Sequence, residues 1–330
     1  MDRRDFFKLS LAGGAALAAG PALAREDKVI PTEALGLLYD STLCIGCKAC
    51  VAACKEANDM PPEFLPDSGQ PYWDMPLDLS GKTLNVIKVY QNGKMEHKDQ
   101  VQDGYAFIKK SCMHCVDPSC VSACPVAAMQ KDPVTGVVSY NKDACIGCRY
   151  CVAACPFGVP RFTYDKAIPQ ISKCQLCRQR WAAGKYSACA EVCPTGATLF
   201  GKVSDLKREA ARRRALTPGS QTVFPRGRLG GPDESYPGVA SKYVDRLYGQ
   251  TEFGGTQMIM LAGVPFEKLG YPDLPPRSDA ARSETLQHGL YRGLVTPLVF
   301  LGALTYAARR NVKDEESKDG KDDSEGDHHG

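Results

Sequence analysis

The chain of 330 residues is long enough for one large domain or two small ones. Its net charge of +3 shows no strongly basic balance, so we expect no nucleic-acid partner. The 31 Gly and 23 Pro residues favour a loop-rich body over a helical bundle. The most informative count is that of Cys, because all 16 lie between Cys44 and Cys193.

Residues 1–24 have the pattern of a twin-arginine export signal. Arg3 and Arg4 precede Phe and Lys, and an apolar run rich in Gly and Ala then ends in an Ala-Leu-Ala sequence at Ala24. An accidental Arg pair in a disordered start is the alternative, but the parts of the signal occur in the expected order. The sequence therefore predicts export to the periplasm by the twin-arginine pathway, with cleavage near Ala24.

The cysteines form four groups of four, with none left over. Group one is Cys44, Cys47, Cys50 and Cys54; group two is Cys112, Cys115, Cys120 and Cys124; group three is Cys145, Cys148, Cys151 and Cys155; group four is Cys174, Cys177, Cys189 and Cys193. Groups one and three have the spacing C-x2-C-x2-C-x3-C. Pro follows the last Cys of groups two, three and four. This is the bacterial ferredoxin pattern, in which three cysteines hold one [4Fe–4S] cluster and the fourth reaches a neighbouring cluster.

The cysteines could instead form disulfides, bind zinc or hold a [3Fe–4S] cluster. Disulfides are common in exported proteins, but they do not explain four near-copies of one motif. Zinc sites use two separated C-x2-C pairs, so group four alone fits zinc, while groups one and three do not. A [3Fe–4S] cluster would leave one ligand missing, and every group has four cysteines. The sequence therefore predicts four [4Fe–4S] clusters.

Two kinds of half-module repeat along the chain. Groups one and three are near copies that share Cys-Ile-Gly-Cys and Cys-Val-Ala-Ala-Cys, and each follows a Tyr at the same distance, Tyr39 or Tyr140. Groups two and four instead share a longer middle gap and a Cys-Pro-x-x-Ala end. Because one ferredoxin module contains one half of each kind, groups two and three should form one module. Groups four and one should form the other, closed by the two ends of the domain.

Exchange of the fourth cysteine within each module then predicts four ligand sets. Set A is Cys44, Cys47, Cys50 and Cys193; set B is Cys174, Cys177, Cys189 and Cys54; set C is Cys112, Cys115, Cys120 and Cys155; set D is Cys145, Cys148, Cys151 and Cys124. Two stacked modules would place the clusters in a row, which suits electron transfer. No Rossmann, P-loop or HExxH motif suggests catalysis, so we expect a non-catalytic subunit.

The predicted fold is α+β, with two stacked ferredoxin-like modules. The cluster domain covers residues 25–205, with a β-rich insert at residues 55–111. Residues 206–285 contain many Gly and Pro and no Cys, which predicts an extended arm lying on a partner. Residues 286–310 are predicted to form a single transmembrane helix, with Arg309 and Arg310 at its cytoplasmic end. The charged residues 311–330 are predicted to form a disordered cytoplasmic tail.

Basic residues border the cysteine motifs. They are Lys109, Lys110, Arg149, Arg161 and Lys173. Positive charge near a cluster stabilises its reduced, more negative form and so raises its potential. Solvated loop charges are an equally good interpretation of each residue, and the sequence leaves this alternative open.

The four groups resemble the iron–sulfur subunits of formate dehydrogenases, nitrate reductases and related respiratory complexes. Two stretches narrow the resemblance to the HybA family of hydrogenase-2. They are Cys-Met-His-Cys-Val-Asp-Pro-Ser-Cys at residues 112–120 and Gly-Gly-Thr-Gln-Met-Ile-Met-Leu-Ala-Gly-Val-Pro at residues 254–265. The resemblance covers nearly the whole chain, and only the 16 cysteines receive roles from it.

The resemblance implies a position between two partners. A nickel–iron hydrogenase, with its small and large subunits, would pass electrons from H2 to this chain. The chain would pass them to a multi-span, quinone-binding membrane subunit at the periplasmic face of the inner membrane. The alternative is the equivalent β subunit of a molybdopterin enzyme such as formate dehydrogenase.

Overall fold

The structure is a computed structural model that describes residues 25–63, 75–165, 169–231 and 234–322. The predicted export signal, residues 1–24, lies outside the described residues, as do residues 323–330 of the predicted tail. The chain divides into two compact units. Of the described residues, those from 27 to 280 form one unit, and residues 25–26 belong with residues 281–322 to the other.

The fold is mixed α/β, with short strands and mostly short helices. The strands of the described residues are β1 (Leu35–Asp40), β2 (Val86–Gln91), β3 (His97–Lys98), β4 (Gly104–Lys110), β5 (Met129–Lys131), β6 (Val138–Tyr140), β7 (Arg161–Phe162), β8 (Ile171–Ser172), β9 (Thr198–Lys202), β10 (Gln221–Pro225), β11 (Gly227–Arg228), β12 (Ser235–Val239) and β13 (Met258–Leu261). The α-helices there are α1 (Ala49–Glu56), α2 (Ser119–Ser122), α3 (Tyr150–Ala153), α4 (Ala188–Glu191), α5 (Val203–Ala215) and α6 (Asp279–Asp322).

The largest sheet has four strands in the order β11-β9-β1-β13. Strand β1 runs antiparallel to β9 and parallel to β13. Its sequence Leu-Gly-Leu-Leu-Tyr-Asp is buried on both faces beyond its first residue, as expected for a central strand that is apolar along most of its length. On one side Leu38 and Leu199 pack with Leu206 of helix α5, which therefore covers one face of the sheet.

The two half-module pairs have the same strand pairing. In one, β1 pairs with β9 so that Tyr39 lies opposite Thr198. In the other, β6 pairs antiparallel with β5 so that Tyr140 lies opposite Met129. Thr198 and Met129 each stand five residues after the last Cys of their group. The same strand pairing therefore occurs twice. Strands β5 and β6 are joined by a short connection, whereas β1 and β9 lie far apart in the sequence.

The helices that carry cysteines also pack in pairs. Helix α1 packs against α4, and α2 packs against α3. The insert contributes a separate sheet in the order β2-β4-β3, with β2 and β4 antiparallel. This sheet is tied to group one, because the Tyr39 hydroxyl donates to the Phe107 carbonyl at 3.0 Å and the Asn85 amide donates to the Cys50 carbonyl at 2.9 Å.

A buried ionic network joins helix α5 to strand β1. The Arg213 guanidinium contacts the Asp40 carboxylate at 2.9 Å and the Glu209 carboxylate at 2.8 Å, and the side chains of Arg213 and Asp40 are both 0% exposed. Asp40 also accepts hydrogen bonds from the hydroxyls of Thr42 at 2.7 Å and Tyr243 at 2.9 Å. Every charge in this network therefore has a partner, which is the condition under which buried charges are tolerated.

The prediction of an extended arm is wrong for much of residues 206–285. Strand β13 joins the main sheet beside β1, with Leu37 opposite Met258, and all four residues of β13 are buried. Strands β10 and β12 form an antiparallel pair. The Gly and Pro content concealed a continuous apolar run, Met-Ile-Met-Leu-Ala, which is typical of a strand buried on both faces.

The prediction of a single C-terminal transmembrane helix is also wrong. Helix α6 covers residues 286–310, but no helix in the described part of the chain is both long and apolar enough to cross a membrane. The uncharged stretch between Arg292 and Arg309 is shorter than the about 20 residues that a spanning helix needs, and Pro297 and two glycines interrupt it. The helix also continues through residues 311–322, where the sequence predicted a disordered tail.

Replacement of Arg213 should destabilise the fold strongly. Arg213→Met leaves the buried Asp40 carboxylate without its cation, while Glu209 keeps its ion pair with Arg212. Breaking a buried ion pair from one side costs about 3–5 kcal/mol. We expect a large fall in the denaturant midpoint of the anaerobic, cluster-containing protein. Arg208→Met is the matched control, since Arg208 is exposed on the same helix and should leave the midpoint unchanged. Equal effects of the two variants would contradict the assigned role of Arg213.

Candidate iron–sulfur centres

The cysteines of set D surround one small cavity. It is lined by Cys124, Cys145, Cys148 and Cys151, together with apolar residues that include Tyr140 and Ile171. Burial is the largest cause that raises the pKa of the Cys151 thiol to about 11, and the three other thiols of the set contribute to this rise. The structure therefore brings a cysteine of group two to the three leading cysteines of group three.

Set A has the same arrangement in the other module. Its cavity is lined by Cys44, Cys47, Cys50 and Cys193, with Tyr39 and Ile87 among the remaining wall residues. Burial is the main cause that raises the pKa of the Cys44 thiol to about 11. Here the chain brings Cys193 to cysteines that lie far away in the sequence, and the pairing of β1 with β9 makes this possible.

The thiols of sets B and C are also close neighbours. In set B, burial and the thiols of Cys189 and Cys177 raise the pKa of Cys54 to about 12. In set C, burial and the thiols of Cys155, Cys112 and Cys120 raise the pKa of Cys115 well above its ordinary value. Ionising several such thiols together requires nearby positive charge, which iron ions supply to cysteine ligands.

Backbone amides point at sulfur atoms in all four sets. In set C, Cys155 accepts hydrogen bonds from the backbone of Val159 and of two nearby residues. In the other sets the donors are the N–H groups of Gly147 to Cys145 at 3.4 Å, Leu176 to Cys174 at 3.4 Å, Thr198 to Cys193 at 3.4 Å and Met129 to Cys124 at 3.5 Å. Such N–H groups stabilise negative charge on a thiolate and tune the potential of a bound cluster. Thr198 and Met129 are the equivalent residues of the two strand pairs, so the repeated register also repeats this contact.

Glycine is required in the loop between the first two cysteines of group one. Gly46 has φ +69°, which side chains rarely adopt, and a Cβ there would lie 2.3 Å from the Phe107 ring. Gly147, its equivalent in group three, has φ +71° and faces the Phe162 ring. An aromatic ring therefore lies close to each of the two equivalent loops.

The four sets form a continuous series in the order A, B, C, D. Cys50 of set A has Cys189 of set B as an electrostatic neighbour, and Cys174 of set B has Cys112 of set C. Set C continues to set D through Cys120 and Cys151. A charge carrier in each set would therefore have a neighbour in the next one.

The surroundings of the cysteines fit anionic clusters. The side chain of Lys109 is 0% exposed, and its ammonium has no hydrogen-bond partner among the described residues. Burial alone would lower the pKa of Lys109, but the thiols of Cys189 and Cys50, with two more, raise it above its ordinary value. No three His, Cys, Asp or Glu side chains in the described ranges lie close enough to hold one metal ion.

Comparison with known proteins identifies the family. Residues 104–203 match a 4Fe-4S dicluster domain family. The whole chain is similar to the Hydrogenase-2 operon protein HybA of Escherichia coli O157:H7 and of Shigella flexneri, with 46% identity over 98% of this chain and 100% of each relative. The chain belongs to the HybA family. A more distant relative is the formate dehydrogenase-O iron-sulfur subunit of Escherichia coli K12, with 34% identity over 84% of this chain and 81% of the relative.

Membership of the HybA family confirms the resemblance that the cysteine motifs and residues 254–265 indicated. The chain carries several 4Fe-4S clusters and is an electron-transfer subunit without catalytic chemistry of its own. The assignment of each cysteine to a particular cluster stays a prediction.

The sequence did not distinguish the buried lysines from the exposed basic residues. Lys109 and Lys173 are buried, whereas Arg149 is exposed and lies over the Phe162 ring, 4.8 Å from its centroid. The sequence contains one indication that a lysine at this position is buried. Lys109 is followed by Lys110 on a strand, and neighbouring side chains of a strand point to opposite faces, so one of the two lysines faces the interior wherever one face of the sheet is covered.

Exchange of ligands between groups can be tested with a reciprocal pair of variants. Cys54→Ser should disturb the cluster of Cys174, Cys177 and Cys189, because Cys54 lies among these thiols. Cys193→Ser should disturb the cluster of set A instead. EPR spectra of the reduced proteins should each lose or alter one signal, and the signal should differ between the two variants. Loss of the group-one signal in Cys54→Ser would refute the exchange.

Proposed function

We propose that this chain relays electrons between a hydrogenase and a quinone-reducing membrane subunit through four [4Fe–4S] clusters. The observation that carries the proposal is the continuous series of four cysteine sets in a chain that is 46% identical to HybA over its length. When bound, the clusters supply reversible one-electron transfer. The chain itself holds them in order, covers them with apolar residues and supplies N–H groups to their ligands.

The proposed ligands are all 16 cysteines, in the four sets defined above. Three cysteines of each set come from one group, and the fourth comes from the other group of the same module. The sets that line one cavity each, A and D, support this assignment. The neighbouring thiols around Cys54 and Cys115 support it for sets B and C.

The two ends of the series reach the protein surface. Cys47 of set A is the one exposed cysteine of the 16, and the Ile45 beside it is 55% exposed. At the other end, Ile146 and Tyr150 next to set D are 66% and 60% exposed. Apolar groups exposed next to a cluster are suited to contact with a partner, so each end is proposed to face one partner protein.

The proposed partners are the small and large subunits of a nickel–iron hydrogenase on one side and a multi-span membrane subunit on the other. The name of the 46% identical relative, a Hydrogenase-2 operon protein, supports a hydrogenase. The Arg pair and apolar run of residues 1–24 support export by the twin-arginine pathway and a location in the periplasm. Attachment to the membrane is proposed to occur through the membrane subunit.

The alternative is the β subunit of a molybdopterin enzyme such as formate dehydrogenase. The chain is 34% identical to the formate dehydrogenase-O iron-sulfur subunit and 46% identical to HybA. The higher identity favours a hydrogenase as the catalytic partner. The two alternatives share the clusters and the electron relay, and they differ in the catalytic partner.

Metal analysis of the complex tests both parts of the proposal. Nickel should co-purify with the tagged chain when it is isolated anaerobically with its native partners, and the reduced preparation should give EPR signals of interacting [4Fe–4S] clusters. Because a nickel–iron partner carries iron of its own, iron is counted on the chain after separation from its partners. That chain should contain about 16 Fe and about 16 acid-labile sulfides per copy, four of each per cluster.

Each result has a distinct meaning. Molybdenum in place of nickel would support the formate dehydrogenase alternative. A colourless chain with little iron would contradict the electron relay itself. The chain with Ser at all four cysteines of set D is the control, and it should lose about 4 Fe.

A further inference from the structure

Lys109 lies buried between the first two cysteine sets. It belongs to strand β4, and its side chain projects from the same face as Phe107, which covers the group-one loop. Its main chain is fixed by pairing with Ile87 on strand β2 and by the Tyr271 hydroxyl, which donates to the Lys109 carbonyl at 2.6 Å. The position of this lysine is therefore set by the insert sheet and by the residues after strand β13.

The electrostatic neighbours of Lys109 come from two sets at once. Cys50 and Cys193 belong to set A, while Cys54 and Cys189 belong to set B. No carboxylate is among these main neighbours. A buried ammonium without a hydrogen-bond partner is costly unless negative charge lies close to it. In this location the negative charge is that of the two cysteine sets.

Lys173 repeats this arrangement at the next junction. It is 3% exposed, and its ammonium lies 3.9 Å from the Cys112 sulfur of set C. The same ammonium donates to the carbonyl of Cys174, a set B residue, at 3.0 Å, and it also donates to the Val138 carbonyl. Lys173 thus contacts one residue of set B and one of set C, as Lys109 lies between sets A and B.

We propose that Lys109 and Lys173 are positioning residues that raise the reduction potentials of the clusters on either side of them. The proposal rests on the proposed function, since it requires clusters in sets A, B and C. One-electron reduction adds one negative charge to a cluster and transfers no proton to these lysines. A fixed cation in a water-poor interior stabilises that added charge, because little solvent screens it.

Because each lysine lies between two cysteine sets, each should change the reduction potentials of a specific pair of clusters. Lys109 acts on the clusters of sets A and B, and Lys173 acts on those of sets B and C. The set B cluster responds to both residues. A lysine that only fills space would leave every potential unchanged when an apolar side chain of similar length replaces it.

The test is an anaerobic redox titration, followed by EPR, of the complex that contains Lys109→Met. Met keeps the length of the side chain and removes its charge. The equilibrium constant for reduction of two of the four clusters should fall at least tenfold, which equals about 59 mV for a one-electron couple. Lys173→Met should shift a different pair, with one cluster common to both variants.

Three further variants make the result decisive. Lys94→Met removes an exposed lysine that precedes strand β3, and it should leave all potentials unchanged. Lys109→Arg keeps the charge and should keep the potentials of the native protein. If Lys109→Met does not retain iron, Lys109→Gln replaces it, and a tenfold fall is expected there as well.

The outcomes separate this inference from the proposed function. Full iron content with unchanged potentials in Lys109→Met, or in Lys109→Gln where that replaces it, overturns the inference and leaves the electron relay intact. An equal shift in Lys94→Met also overturns it, because the effect would then not depend on burial between the sets. A native chain without iron contradicts the proposed function itself.

Discussion

The structure depends on keeping many sulfur ligands close together in an interior with little water. Thiols in such a place are hard to ionise, as the raised pKa values of Cys44, Cys54 and Cys115 show. Iron ions supply most of the positive charge that the thiolates need, but each bound cluster still carries a net negative charge. Backbone N–H groups directed at sulfur atoms, and the buried ammonium groups of Lys109 and Lys173, stabilise this negative charge. Much of the fold can be understood as the framework that holds these donors in position.

The framework has a different task in each module. Groups two and three are near neighbours in the sequence, so the short strands β5 and β6 are sufficient to bring them together. Groups one and four are separated by most of the domain, and closing so long a loop costs conformational entropy. The main sheet offsets this cost, because β1 pairs with β9 on one side and with β13 on the other. The Arg213 network then connects helix α5, which follows β9, to the end of β1 immediately before group one.

Features that depend on residues close together in the sequence could be predicted, whereas features that depend on contacts between distant residues could not. The cysteine spacing and the Tyr39 and Tyr140 repeat depend on short-range geometry, so they predicted several 4Fe-4S clusters and the family correctly. Strand β13 was missed because its apolar run lies in a stretch where Gly and Pro suggested an arm, and its partner β1 is more than two hundred residues away. The transmembrane helix was predicted from an apolar stretch that is too short between its flanking arginines. Burial of Lys109 and Lys173 depends on tertiary packing, which no local pattern records.

The internal repeat also explains why the two ends of the series are alike. Sets A and D are built on groups one and three, whose Cys-Ile-Gly-Cys loops expose Ile45 and Ile146. Sets B and C are built mainly on groups four and two, and they meet through Cys174 and Cys112 in the middle. The modules therefore join by their group-four and group-two halves and turn their group-one and group-three halves outward. Since Lys109 and Lys173 lie at the inner junctions, partner proteins that bind at the exposed ends would leave both lysines buried, and control of the inner potentials would belong to this chain alone.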